Sequence, residues 1–166
     1  MISERKKFDQ KDFLDSDPKS REVASRYFSQ FGGKVYSNPN EFGIDLISDT
    51  QSDGTWLGIE LERHPKFKGS DFPYSRVNLP LRKCKYFGVE PPLHKLKSNE
   101  YIDNNKNNYY VIINNEYTHY GIISAEKIRQ FCREHEPEEV SNTVFAEGEF
   151  FYRIPKKLFK WCDFEI

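Results

Sequence analysis

The sequence predicts a single α/β domain built on a mixed, centrally antiparallel sheet flanked by helices. Three stretches carry that prediction. Residues 20–31, SREVASRYFSQF, place apolar side chains at 23, 24, 27, 28 and 31, the spacing of one helical face. Residues 42–62, FGIDLISDTQSDGTWLGIELE, form two alternating apolar runs around a polar turn, the signature of an antiparallel strand pair. Residues 109–113 and 118–123 are two further apolar runs joined by Asn114-Asn115-Glu116, a hairpin turn. A chain of 166 residues holds one domain with a substantial core.

Taken in order, residues 1–19 read as a polar N-terminal arm with a short helical turn around 8–14. Residues 20–166 read as the domain. Asp17 or Ser20 caps the helix over 20–31, and Gly32-Gly33 end it. A short strand over 34–36 and the turn SNPNE lead to strands over 42–47 and 56–62. Pro65 and Pro73 break residues 63–74 into irregular structure. The basic stretch 77–87 reads either as strand-then-helix or as a helix begun at Pro80. Residues 88–108 form a long loop with an Asn/Lys-rich run. After the second pair of strands, Ser124 caps a helix over 125–134 with Glu126 in its first turn. Residues 136–148 read as loop, 149–154 as a last strand, and 155–161 as a short basic helix.

Composition narrows the function classes. Apolar residues make up 37% and charged residues 31%, as in a soluble globular protein. No window approaches eighteen apolar residues and the N-terminus lacks an apolar core, so neither a membrane span nor a secretory signal is expected. Three widely spaced Cys, at 84, 132 and 162, suit free thiols in a reducing, cytoplasmic compartment. Cys132 and His135 are a thin basis for zinc, since no paired CxxC occurs. There is no phosphate-cradling glycine loop and no nucleophile elbow.

The chemistry lies in 42–62. Side chains alternate across a strand, so Leu57, Ile59 and Leu61 share one face and Glu60 and Glu62 the other. Asp45, between Ile44 and Leu46, joins the acids if the strands pair. Carboxylates inside apolar strands are costly unless something positive holds them. An ordinary solvated strand face is the alternative. Oxygen donors gathered in this way suit Mg²⁺ or Mn²⁺, which promote phosphodiester hydrolysis.

A helix, a strand bearing one Asp, and a strand bearing an acid-x-acid pair together resemble the PD-(D/E)XK, or restriction-endonuclease-like, nuclease superfamily. The resemblance covers about residues 20–134 and rests on Gly43-Ile44-Asp45 and Ile59-Glu60-Leu61-Glu62, with fourteen residues lying between the two key acids. It implies a restriction-endonuclease-like core and a metal-dependent nuclease. Asp45 and Glu60 would bind the metal with the carbonyl of Leu61, and Glu22 on the first helix is a further candidate ligand. Two positions depart from the pattern. Ile44 stands where Pro is usual, and Glu62 stands where the superfamily usually has Lys. Glu62 would be a third ligand or would orient the attacking water. The lysine's part would pass to Arg63, Lys83 or Lys85.

Basic residues nearby suit a nucleic-acid partner, DNA ahead of RNA. Arg63, Arg76, Arg82, Lys83 and Lys85 follow the acidic strand, with Lys95 and Lys97 beyond them. Arg153, Lys156, Lys157 and Lys160 form a second cluster, equally readable as a solvated face. The net charge of −1 supplies no overall attraction, so the local pattern has to act. His64 is a candidate acid, base or ligand set against a plain loop histidine. One chain carries one site, so double-strand cutting would require a homodimer. The reading of another class is a non-catalytic module that keeps the fold and binds nucleic acid or protein.

Overall fold

The computed structural model describes residues 10–31, 33–40, 43–49, 57–89, 107–140 and 149–164. The polar turn before Trp56, His94, Lys95 and Lys97 lie outside them. The elements are α1 (Gln10–Phe28), β1 (Val35–Ser37), β2 (Leu46–Ser48), β3 (Gly58–Arg63), β4 (Arg76–Pro80), β5 (Asn108–Ile113), β6 (His119–Ser124), α2 (Ala125–Glu134), β7 (Glu138–Val140), β8 (Glu149–Pro155) and β9 (Lys160–Asp163). Short 3₁₀ helices cover Leu81–Phe87 and Lys156–Leu158.

Six strands form a mixed sheet in the order β1-β2-β3-β5-β6-β9. β3 and β5 run parallel, with Glu60 beside Tyr110 and Glu62 beside Ile112, and the other neighbours in this sheet are antiparallel. A separate antiparallel sheet has the order β4-β8-β7. The α/β class and the mixed sheet are as the sequence predicts, but the central pair β3–β5 is parallel where an antiparallel centre was expected, because the long β4-containing crossover returns the chain in the same direction.

Strand alternation separates two cores. Ile59, Leu61, Val111, Ile113 and Tyr120 pack with Ala24 and Tyr27 of α1 on one face of the large sheet. Tyr110, Ile112 and Ile123 pack on the other face with Ile128 and Phe131 of α2, Leu81 and Phe87 of the 3₁₀ helix, and Val77 and Ile154 of the small sheet. The predicted parity of β3 therefore holds, and its aliphatic face meets the first helix.

The differences from expectation have local causes. α1 begins at Gln10 and runs through Pro18, because a proline removes one helical hydrogen bond without forbidding helix on either side. β2 starts only at Leu46, since the Asp45 carboxylate, rather than a backbone group, takes the amide of Leu61. Residues 77–87 resolve into a strand followed by a 3₁₀ helix, closed by Gly88 at φ 71°. β7 and β9 replace expected loop and helix. Around α2 the expectation holds, with Ser124 Oγ accepting from the amide of Lys127 at 3.3 Å.

Parallel strands need a long crossover. Here the crossover from β3 to β5 contains β4 and the Leu81–Phe87 helix. It lies over the sheet face that carries Glu60 and Glu62, and this is how Lys83 reaches them.

Candidate active site

Asp45 sits where β2 gives out. Its Oδ2 accepts from the Leu61 amide at 2.8 Å and its Oδ1 from Arg21 Nη2 of α1 at 3.0 Å. Glu60 Oε1 accepts from the Asp45 amide at 3.3 Å, which places the two acids side by side. Glu60 Oε2 lies 3.3 Å from Lys83 Nζ, and both side chains are nearly fully buried, at 9% and 11% exposure. Glu62 Oε2 lies 4.0 Å from the same ammonium and accepts from the Tyr110 hydroxyl, while the Glu62 side chain remains 36% exposed. The Lys83 ammonium also stands 5.5 Å from the centre of the Tyr110 ring. The cluster is thus buried at Glu60 and opens to solvent at Glu62.

Burial dominates the electrostatics. It pushes the Glu60 carboxyl up to about 8, with Lys83 opposing and Asp45 adding to the rise. Burial also holds the Tyr110 hydroxyl well above its usual range, reinforced by Glu62. Tyr110 therefore stays a donor, which suits its bond to the Glu62 carboxylate. Three carboxylates here face two cations, Arg21 and Lys83.

The predicted residues divide accordingly. Asp45, Glu60, Glu62 and Lys83 come together. Glu22 does not join them: it faces outward and pairs with Arg26 at 2.8 Å, and its neighbour Arg21 reaches Asp45 instead. Arg63 turns away to the Asn115 carbonyl at 3.0 Å and covers the Tyr117 ring at 4.9 Å. Lys85 lies over the Tyr86 ring at 5.2 Å. Arg76 bonds to the Arg153 carbonyl, and Arg82 pairs with Glu149 at 3.6 Å on the surface. Sequence reasoning missed Arg21 and Tyr110. Each looked like part of a packing element, and only its register opposite an acid marks it.

His64 continues the extended path of β3, its amide donating to the Ile113 carbonyl at 2.8 Å. Its ring meets Phe72 edge-on at 5.4 Å and Tyr74 at 5.8 Å, and its Nδ1 is buried without a hydrogen-bond partner. Burial lowers its pKa, opposed by Glu62 and assisted by Lys66. Cys84, Cys132 and Cys162 are free thiols. His135 stacks on Phe131 at 4.0 Å.

Among the described residues no three His, Cys, Asp or Glu side chains converge as a metal-holding group. The adjacent pair Asp45 and Glu60 still fits Mg²⁺, which is held through one or two carboxylates with water and phosphate oxygens completing its shell. Glu62 serves to hold Lys83 together with Tyr110.

Comparisons with protein-family models, curated proteins and solved structures gave no significant match. Among the described residues no helix is long and apolar enough to cross a membrane.

Proposed function

We propose that this chain is a Mg²⁺- or Mn²⁺-dependent phosphodiesterase of the restriction-endonuclease-like kind, cutting nucleic acid and favouring DNA. One observation carries the reading. Lys83, delivered by the crossover, places its ammonium 3.3 Å from Glu60, beside Asp45 and opposite the position that holds Glu62. The cluster thereby contains an Asp, a Glu and a Lys although the strand itself lacks the lysine.

Asp45 and Glu60 hold the cation, with the Leu61 carbonyl as a further donor. When bound, the cation supplies Lewis acidity for phosphodiester hydrolysis. Lys83 offers its ammonium to a phosphate oxygen as negative charge grows there. Tyr110 and Glu62 fix the position of Lys83, and Arg21 fixes Asp45. The exposed side of Glu62 is where substrate and water would enter.

Labelled DNA and RNA incubated with the chain and Mg²⁺ or Mn²⁺ test this. Asp45→Asn, Glu60→Gln and Lys83→Met should each lower cleavage by about a hundredfold or more. Arg63→Ala and Lys85→Ala should stay within about threefold of the parent, because neither side chain touches the acids. Undiminished cleavage in the Asp45 and Glu60 variants would refute the site.

A second reading has its own support, for Arg21 and Lys83 already engage the carboxylates. A self-neutralised cluster suits a non-catalytic module that binds nucleic acid. Calorimetry showing no metal binding, together with salt-sensitive DNA binding, would select it.

A further inference from the structure

The loop between β3 and β4 presents an aromatic ring against His64, two residues beyond Glu62. Tyr74 is 44% exposed and, with Phe31, is one of the large apolar side chains left at the surface among the described residues. Its ring lies 5.8 Å from His64 and 5.8 Å from Phe72, at interplanar angles of 59° and 73°, so neither neighbour stacks flat on it. Phe72 is buried and stacks on Trp161 at 5.3 Å, which ties this group of rings into the core.

The loop is firmly held. The Asn115 amide donates to the Phe67 carbonyl at 2.7 Å, and Asn114 Nδ2 donates to the Gly69 carbonyl at 2.8 Å. Lys156 Nζ donates to the Phe72 carbonyl at 3.0 Å. The exposed tyrosine is thus set on a pinned support, which keeps the entropy lost on binding low. His64, which touches it, follows Glu62 by two residues along the extended strand path. Lys66 is exposed on the same loop.

We infer that Tyr74 is a stacking platform for an unpaired base, and that the substrate is single-stranded nucleic acid or a strand with an unpaired nucleotide at the cut. The inference rests on the phosphodiesterase reading for its location, but the platform is a binding feature and is tested without catalysis. A base has a π face of its own, and stacking of this kind tolerates any sequence.

The test is fluorescence anisotropy with labelled oligothymidylate, oligouridylate and a mixed-sequence duplex, using the full chain in EDTA. At least one of the two single strands should bind more tightly than the duplex, and the comparison between them separates a DNA from an RNA ligand. Tyr74→Ala should weaken single-strand binding by about tenfold, Tyr74→Phe should preserve it, and duplex binding should change little. Tyr74 is exposed, so circular dichroism should show both variants folded. Equal effects of Tyr74→Ala on single strand and duplex, or none on either, would overturn the inference, as would failure of both single strands to bind. Binding with this pattern but no cleavage in Mn²⁺ leaves the platform standing and removes the phosphodiesterase. Cleavage of single strands with an unchanged KM in Tyr74→Ala does the reverse.

Discussion

Glu60 is the residue at which burial and charge compete most directly. Its carboxylate is buried beside Asp45 and is kept company by one ammonium, Lys83. Removing that ammonium should therefore cost more than a surface pair would. Lys83→Met is expected to lower stability by about 3 kcal/mol at high pH, read from urea unfolding. The pH dependence has a definite sign. A carboxyl that titrates near 4.5 when unfolded and at about 8 when folded binds more protons in the native state between those values. Its contribution thus falls as pH rises through that window and is level above it. Glu60→Gln should flatten this slope, so the variant gains on the parent from about pH 5 to about pH 9, and parallel unfolding curves would contradict the assignment. At this scale the sequence showed the acids, because Asp45, Glu60 and Glu62 interrupt an apolar alternation. It could not single out Lys83 among neighbouring cations, since the choice depends on where the crossover lies. Arg21 was hidden in a helix legible only by its apolar face. Tyr110 was hidden in a run that reads as pure packing.

Among the elements, the parallel pairing of β3 with β5 is what makes the site. Gly58 opens β3 against Asn108, whose side chain is fully buried and donates to the Tyr86 carbonyl at 2.6 Å. A Cβ at Gly58 would meet Asn108 Oδ1 at 2.3 Å, with Ile44 Cδ1 also close at 3.1 Å. Gly58→Ala should therefore destabilise by about 1–3 kcal/mol in thermal or urea unfolding, as overpacking does, and should lower cleavage by disturbing Asp45 and Glu60 downstream. The apolar strands β3, β5 and β6 and the capped helix α2 were legible from pattern alone. β9 was not. Lys160-Trp161-Cys162-Asp163 has no apolar alternation and follows a proline, so it resembles a basic helical tail. In the fold, Trp161 lies across Gly121 of β6, where a Cβ would come within 2.4 Å of the indole. That pairing joins residues 40 apart in sequence, which no local pattern can report.

For the molecule as a whole, the chain of contacts from Arg21 through Asp45 and Glu60 to Lys83 joins the two cores across the large sheet. One end belongs to α1 and the other to the crossover. Arg21→Ala and Lys83→Ala should consequently be coupled although the two residues sit in different layers. A double-mutant cycle is expected to give about 1 kcal/mol of interaction, and strict additivity would show that the acids do not transmit between them. The α/β class was legible because element types follow from periodicity. The division into a large and a small sheet was not, because it depends on which distant strands pair. The central claim is that Asp45 and Glu60 hold a divalent cation, and anomalous diffraction from a crystal of the chain soaked in Mn²⁺ tests it most directly. A Mn²⁺ peak coordinated by both carboxylates is the predicted result. Full Arg21–Asp45 and Lys83–Glu60 pairing with no peak between the acids would contradict it.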